Sequence, residues 1–249
     1  MLGTIFNEIL YRPIFNGLIF LYNIIPGHDF GIAIILLTVL IRIILFPLAY
    51  YSIKSRQSLA IIQPKLKEIQ QKYKTKEEQS RELMKAYKEH GVNPFSGCLP
   101  ILIQLPILLA LYQVFIKVLK PESLSILYGF IKNPIEINPL FLGVVDLSVP
   151  NYILAVLAGI SQFFYSKLTI KYSPQLPQAS DKKGAGVGIQ KIMGRQMMYF
   201  MPILTIFIAL RLPAGLSLYW FLSTLLGLVQ DYFLLRKKNW SHPDAKSVV

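Results

Sequence analysis

The chain has 249 residues, 53% of them hydrophobic, with a formal net charge of +13 and a mean hydropathy of +0.47. This balance excludes an ordinary soluble domain and, with several long apolar runs, places the chain among polytopic membrane proteins. The single cysteine, Cys98, excludes an internal disulfide. The sequence has no zinc, P-loop, dinucleotide or catalytic-triad signature, so we expect no metal, no cofactor and no catalytic residue.

Residues 1–28 form an apolar stretch with polar residues at four-residue spacing, namely Glu8, Arg12 and Asn16. This pattern favours an amphipathic helix that lies on the outer surface of the membrane. A sixth membrane span over residues 3–24 is the competing interpretation. The start of the chain has no basic n-region and no small-residue cleavage site, so we expect no cleavable signal peptide.

The run over residues 29–51 is long enough to cross a bilayer as a helix, which takes about 20 mostly apolar residues. It carries Arg42 near its middle, and an arginine at that depth usually faces a protein interior or a water-filled cavity. Thr38 lies one turn earlier on the same helical face, and Pro47 predicts a kink just beyond the arginine. Across the predicted spans the only acid is Asp231, near the end of the last one. We therefore expect water or a substrate to solvate Arg42.

Residues 52–93 change to a charged pattern that carries an apolar seam. The seam residues follow a 3-4-3-4 spacing and are Leu59, Ile62, Leu66, Ile69 and Tyr73. Thr75 followed by Glu78 is a capping-box signal for the start of a second helix. The pattern predicts an antiparallel helical hairpin that projects from the membrane, and a solvated charged loop is the alternative.

Residues 94–235 contain four further predicted membrane helices. Their approximate ranges are 96–117, 150–170, 197–213 and 215–235. A Pro-rich, partly apolar segment at 118–149 is predicted to lie at a membrane surface, and a flexible cytoplasmic linker is predicted near 171–195. Residues 236–249 form a basic tail. The fold class is therefore all-α, with five transmembrane helices, an N-terminal interfacial amphipathic helix and a cytoplasmic helical hairpin.

The distribution of lysine and arginine predicts the orientation in the membrane. Segments 52–93, 167–196 and 236–249 hold ten, six and four of these residues, whereas segments 1–29 and 118–149 hold one and two. The hairpin, the linker and the tail are therefore expected in the cytoplasm, and the N-terminus outside. Such a basic surface suits a nearby polyanion, and anionic lipid and ribosomal RNA both qualify.

Polar side chains on the other predicted spans could line a cavity together with Arg42. They are Gln104, Ser161, Gln162, Ser217, Ser223 and Thr224. Each one alone is more often an interhelical hydrogen bond than a site residue, but as a set they predict a polar groove that opens toward the cytoplasm. By their chemistry these residues would receive a polar or negative segment at half depth of the bilayer. A small-solute transporter or channel and a purely structural membrane protein are alternatives that the residues leave open.

Five motifs follow the Arg42 span in order. They are Gln-Pro-Lys-Leu at 63–66, Asn-Pro-Phe-Ser-Gly-Cys-Leu-Pro at 93–100, Gln-Leu-Pro at 104–106 with Ala-Leu-Tyr at 110–112, Phe-Met-Pro at 200–202, and Leu-Pro-Ala-Gly-Leu-Ser-Leu-Tyr-Trp at 212–220. Together with that span they resemble the YidC-type membrane protein insertases, a family with mitochondrial and chloroplast relatives, over residues 5–238. The chain is similar to the shorter, Gram-positive-like form, because it lacks the large extra-cytoplasmic domain and additional first span of Gram-negative members.

The resemblance implies a membrane protein insertase and chaperone of the bacterial plasma membrane, which is not an enzyme in the ordinary sense. It implies a five-helix core with a hydrophilic groove that opens to the cytoplasm and to lipid. Arg42 matches the groove arginine of the family, and Thr38 and Trp220 match positions associated with insertion activity. The surface along which a substrate helix would slide is expected at Leu105, Pro106 and Tyr219.

The resemblance also implies the binding partners. Nascent membrane proteins would be the substrates, and the ribosome, the Sec translocon and anionic lipids would be further partners, with no role for DNA. The helical hairpin and the basic tail are the expected contacts for the ribosome. Stabilisation of the helix bundle, or attraction to lipid headgroups, is the alternative role for these basic segments.

Overall fold

The computed structural model describes residues 2–73, 75–93, 99–134, 136–172 and 186–236 of the chain. Helix makes up 78% of it and strand 2%, in agreement with the predicted all-α class. The elements in chain order are α1 (Leu2–Phe6), a π-helical turn (Asn7–Tyr11), α2 (Arg12–Ile24), α3 (Phe30–Lys72), α4 (Lys76–Glu89), α5 (Leu99–Lys117), a 3₁₀ helix (Pro121–Ile126), β1 (Leu140–Phe141), β2 (Val145–Asp146), α6 (Tyr152–Tyr172), α7 (Gly186–Ala209) and α8 (Ala214–Arg236).

Three helices of the described part are long and apolar enough to cross a membrane. They comprise α3, residues Tyr152–Ile170 of α6, and α8. Shorter apolar stretches lie in α5 and α7, at Leu102–Lys117 and Met198–Ala209. Length and composition therefore establish three candidate spans, and the full count of five remains a prediction.

Helix α3 joins two predicted elements into one. It runs without a break for 43 residues, through Pro47 and Pro64, so no break falls at the predicted boundary between the 29–51 span and the hairpin. Each proline removes one backbone hydrogen bond, and the helix continues because the turns on either side retain theirs. The membrane-spanning half and the charged half of α3 therefore form one continuous rod.

The polar stripe of the N-terminal helix has protein partners. The Asn16 amide donates to the Ile126 carbonyl at 3.3 Å, and its oxygen accepts from the Tyr128 backbone at 2.7 Å. Arg12 Nε also donates to the Ile126 carbonyl, at 3.4 Å. Arg12 and Asn16 thus bond to backbone groups of the 118–149 segment, whereas Glu8 remains exposed and pairs with Arg12. Whether this helix lies on the membrane surface remains a prediction.

The main apolar core joins α2, α3, α5 and α8. Its fully buried side chains include Phe15, Phe30, Leu111 and Leu216. Helix α6 packs most extensively against α8 and α7. This packing fixes how α3 and α8 are rotated about their own axes, and so determines which residues of α8 Arg42 faces.

A second apolar cluster holds α4 against the C-terminal half of α3. Its buried residues are Leu59, Ile62, Leu66, Ala86, Tyr87 and Val92. The first three are seam residues and are buried as their spacing predicts. Thr75 caps α4, with its hydroxyl accepting from the Glu78 backbone at 3.4 Å.

Two connecting segments differ from their predicted form. Helix α7 begins at Gly186, inside the predicted linker, because residues 189–195 contain no strong helix breaker apart from Gly194. The 118–149 segment contains the 3₁₀ helix and the two short antiparallel strands, which are too short to show an alternating pattern. The remainder of the predicted linker, at 173–185, and the tail beyond Arg236 lie outside the described residues.

A candidate polar groove at Arg42

Arg42 lies half-buried in α3 with its side chain against α8. Its Nε donates to the Ser223 hydroxyl at 3.2 Å, and its Nη2 donates to the Ser223 carbonyl. Gly227 lies one turn further along α8, where an added Cβ would be only 2.8 Å from Nη2 and 2.9 Å from Nη1. The guanidinium therefore lies directly on the backbone of α8, a position that only glycine leaves open.

No carboxylate of the described residues forms an ion pair with Arg42. The ion pairs found there are Glu8–Arg12, Arg56–Asp231 and Lys65–Glu89. Asp231, the acid that could have neutralised the arginine from within the predicted spans, is thus engaged by Arg56. Among the described residues, the polar atoms that stabilise this cation are the hydroxyl and the carbonyl of Ser223, and its solvation by water or by a substrate stays a prediction.

A small cavity opens beside Arg42 between α3 and α5. Its volume is about 50 Å³, which is enough for a few water molecules. The residues that line it are Arg42, Leu45, Leu48, Ala49, Ser52, Ile103 and Gln104. Three of these side chains are polar, so the cavity combines a cation and hydrogen-bonding groups with an apolar wall.

Gln104 links this cavity to α8. Its amide nitrogen donates to the Tyr219 hydroxyl at 3.0 Å. Tyr219 itself is only 1% exposed, so it offers no surface along which a passing helix could slide. Tyr219 was expected on the sliding surface, and this expectation is wrong. Its large, mostly apolar ring packs in the core between α5 and α8, and its hydroxyl holds Gln104 in position.

The other two residues of the expected sliding surface lie on α5 beside Gln104. Leu105 is 52% exposed, and Pro106 is partly buried. Trp220, on α8, is also partly exposed. Leu105 therefore presents apolar surface on α5, one position after Gln104, although its side chain does not line the cavity.

Four of the predicted groove residues use their hydrogen bonds inside the bundle instead. A hydroxyl on a helix readily bonds to a carbonyl of the preceding turn, as those of Thr38 and Ser161 do. The bonds run from Thr38 to the Ile34 carbonyl (2.6 Å), from Ser161 to the Ala158 carbonyl (2.8 Å), from Ser217 to the Ala209 carbonyl (3.3 Å) and from Gln162 to the Ser166 hydroxyl (3.5 Å). The structure thus brings Arg42 and Gln104 together at the cavity, whereas Thr38, Ser161 and Ser217 are buried elsewhere in the bundle and Gln162 is partly exposed on α6.

Sequence reasoning missed the partner of Asp231. Arg56 Nη2 lies 3.6 Å from Asp231 Oδ2, and both side chains are more than nine-tenths buried. A signal was available, because the seam of Leu59, Ile62 and Leu66 extended back by one turn places Arg56 on the buried face of α3.

Comparisons with known proteins identify the family of this chain and agree with its fold. The 60Kd inner membrane protein family matches residues 20–241. A protein of Fusobacterium nucleatum named membrane protein insertase YidC is 36% identical over 231 residues, which cover 92% of this chain and 98% of that protein. One of the same name from Campylobacter jejuni is 34% identical over 226 residues, covering 90% of this chain and 37% of the relative.

A solved structure shares the fold. It is described as the crystal structure of an active YidC insertase with the first transmembrane domain resolved, and it superposes with a TM-score of 0.55 at 28% identity. The match covers 90% of this chain and 46% of the crystallised one. The chain therefore belongs to the 60Kd inner membrane protein family, whose relatives named here are YidC membrane protein insertases, and its function is the insertion of membrane proteins.

Proposed function

We propose that the chain inserts nascent membrane proteins through a hydrated groove centred on Arg42 and open to the cytoplasm and to lipid. The observation that carries this proposal is the setting of Arg42, a half-buried cation with no carboxylate partner among the described residues. Its position beside Gln104 and Leu105 adds a hydrogen-bonding group and an exposed apolar side chain. Such a site suits a polar or acidic segment attached to an apolar one.

The proposed membrane arrangement has five spans, formed by the first half of α3 and by α5, α6, α7 and α8. Helix α5 has 19 residues, which at about 1.5 Å per residue approaches the roughly 30 Å of a hydrocarbon core. The distribution of basic residues favours a cytoplasmic position for the α3–α4 hairpin and the C-terminus, with the N-terminus outside. In that arrangement α1 and α2 lie at the outer surface and the hairpin projects into the cytoplasm.

The mechanism follows from two opposing free energies. The polar end of a substrate enters the groove, where Arg42 and water replace part of its hydration, so less hydrocarbon remains to be crossed. The apolar part meanwhile moves along Leu105 and Pro106 into lipid and gains about 25 cal/mol for each Å² of apolar surface removed from water. Hydrophobic transfer then drives release, and no covalent bond is made or broken, so the activity is not enzymatic.

Further partners are proposed from the charge of the hairpin. The exposed side chains of α4 and of the second half of α3 include Lys65, Lys67, Lys72, Lys85 and Lys88. Such a surface attracts ribosomal RNA or anionic headgroups. We therefore include the ribosome and anionic lipids as partners of the insertase, and the Sec translocon as a partner that the family resemblance implies.

Substitution of Arg42 tests the proposal. In vesicles that contain the purified chain, Arg42→Ala is expected to impair insertion of a substrate with an acidic N-terminal segment more than insertion of its neutralised variant. Arg42→Lys retains the charge and is expected to support insertion of both. Full insertion of the acidic substrate by Arg42→Ala would refute the electrostatic role of the groove.

A further inference from the structure

The turn between β1 and β2 carries an apolar side chain in a strained conformation. The strands pair in antiparallel register, with Phe141 opposite Val145, and the Val144 backbone N–H donates to the Phe141 carbonyl at 3.0 Å. Leu142 and Gly143, which lie between Phe141 and Val144, have φ angles of 52° and 70°. This is a type I′ turn, whose first central position favours Asn or Asp. A leucine in this left-handed conformation costs roughly 1–2 kcal/mol.

Nothing within the described fold offsets this strain by packing on the side chain. Leu142 is 65% exposed, and Val144, on the other side of Gly143, is 82% exposed. An asparagine at position 142 would relieve the strain and expose less apolar surface. The apolar tip therefore finds its favourable contact outside the described chain.

The tip is held rigidly against the start of α3. Asp29 caps this helix, with its Oδ1 accepting from the Ile32 backbone at 2.8 Å, while its Oδ2 accepts from the Leu142 backbone at 2.6 Å. The Phe141 ring lies directly on the first turn of α3, because a Cβ added on Gly31 would clash with that ring. One carboxylate and one close contact thus tie the turn to the helix that carries Arg42.

The segment after β2 is held in the same way by α8. The backbone N–H groups of Ala214 and Gly215 donate to the carbonyls of Val149 and Leu147, both at 2.9 Å. Helix α6 then begins at Tyr152. The tip therefore lies at the level where the three candidate membrane spans begin.

Exposed apolar surface continues from the hairpin into the first turn of α6. Val149 is 51% exposed, Tyr152 74% and Ile153 63%. Because α6 is a candidate span, its exposed apolar side chains face lipid, and the hairpin tip extends that surface. The five exposed apolar residues of the tip and of this first turn are far fewer than the roughly 20–30 residues on each side that a specific protein interface takes.

We propose that Leu142 and Val144 insert among the acyl chains of the leaflet at the N-terminal end of α3 and so fix the depth of this helix in the bilayer. In the orientation proposed above this is the outer leaflet. Arg42 follows Asp29 by thirteen residues, or about 20 Å along the helix. Because the tip is tied to the first turn of α3, its anchoring also sets the depth of the groove cation.

Spin labels on the full chain test the lipid contact. In a Cys98→Ser background, single cysteines replace Leu142, Val144 or, as a control, Ser125, an exposed residue of the 3₁₀ helix. The labelled chains are reconstituted in phosphatidylcholine–phosphatidylglycerol vesicles. Labels at 142 and 144 are expected to collide more with oxygen than with a water-soluble nickel chelate, and the label at 125 the reverse. A label at 142 that behaves like the one at 125 overturns the proposal, as does spin–spin broadening there, which would indicate a second copy of the chain.

A second label tests the control of depth. A spin label at Leu40, which is 45% exposed, reports the depth of α3 in chains with either Leu142→Asn or Leu142→Met. Asparagine retains the turn but removes the apolar contact, so it is expected to shift the label, whereas methionine is expected to leave it in place. A thermal stability of Leu142→Asn in detergent that is no lower than that of Leu142→Met separates a shift in depth from unfolding. An unchanged label depth in Leu142→Asn overturns the anchoring role.

Discussion

The Arg56 guanidinium lies 3.6 Å from the Asp231 carboxylate, in a region where both side chains are almost fully buried. This pair joins α3 to α8 near the end of the membrane-spanning part of the bundle. Because Asp231 pairs with Arg56, it does not neutralise Arg42. Arg42 therefore keeps its positive charge in the groove. The electrostatics of the groove thus depend on a pair outside it.

Asp231→Asn is expected to destabilise the bundle, because it leaves the buried Arg56 charge without a partner. Breaking a buried pair in this way costs about 3–5 kcal/mol, which thermal unfolding of the purified chain measures. Arg56→Met combined with Asp231→Leu should recover most of that loss.

The exposed pair between Lys65 and Glu89 provides a matched control. Its side chains are 47% and 48% exposed at a similar distance of 3.5 Å, and such pairs contribute about 0–1 kcal/mol. Glu89→Gln should therefore leave the unfolding temperature nearly unchanged. Equal effects of Asp231→Asn and Glu89→Gln would show that burial of the first pair carries no energetic weight.

Gly227→Ala is expected to displace the Arg42 guanidinium while leaving α8 intact. Alanine favours a helix over glycine by about 1 kcal/mol, but its Cβ would meet Nη2 at 2.8 Å. The side chain must then leave Ser223, and we expect reduced insertion of acidic substrates without loss of thermal stability. Gly3→Ala, at a position with nothing within 4 Å, is the control for a glycine replaced in open space. Normal insertion by Gly227→Ala would mean that insertion does not require Arg42 in its observed position against Ser223.

Leu105 and Tyr219 should respond in opposite ways to truncation. Tyr219→Ala removes a ring that is 1% exposed and should cost several kcal/mol of stability, as large core truncations do, typically about 3–5 kcal/mol. Leu105→Ala removes a side chain that is half exposed and should change stability little. If Leu105 is part of the sliding surface, its truncation lowers the rate of insertion. The reverse order of stability effects would contradict the assignment of Tyr219 to the core.

Leu66→Ala should loosen α4 from α3. Leu66 is 1% exposed in the second apolar cluster, and truncation of a buried leucine costs about 2–5 kcal/mol. Hydrogen exchange of α4 amides is therefore expected to accelerate, with α8 unaffected because it lies in the other cluster. Ile61→Ala, at a neighbouring position that is 59% exposed, serves as the matched control. Ribosome co-sedimentation of the same variants tests whether the packed hairpin is needed for that contact.

Local patterns in the sequence were sufficient for the membrane class, for the span that carries Arg42 and for the seam that packs α3 on α4. These features depend on composition and on periodicity within one helix, which a single segment already contains. The cap at Thr75 is local in the same sense. The change from an apolar to a charged pattern at residue 52 marks two chemically different halves, but only the structure shows that both belong to one helix that continues through Pro47 and Pro64.

Only the tertiary structure decided which polar residues converge. Arg42 and Ser223 are 181 positions apart. The hydrophobic periodicity within one helix does not determine which of its faces meets a helix so distant in sequence. For the same reason Thr38, Ser161 and Ser217 proved to be packed hydroxyls, Tyr219 proved to be a core residue, and Asp231 found its cation on α3. The sequence thus determined that a charge must be solvated within the bilayer, and packing between helices determined which atoms surround it.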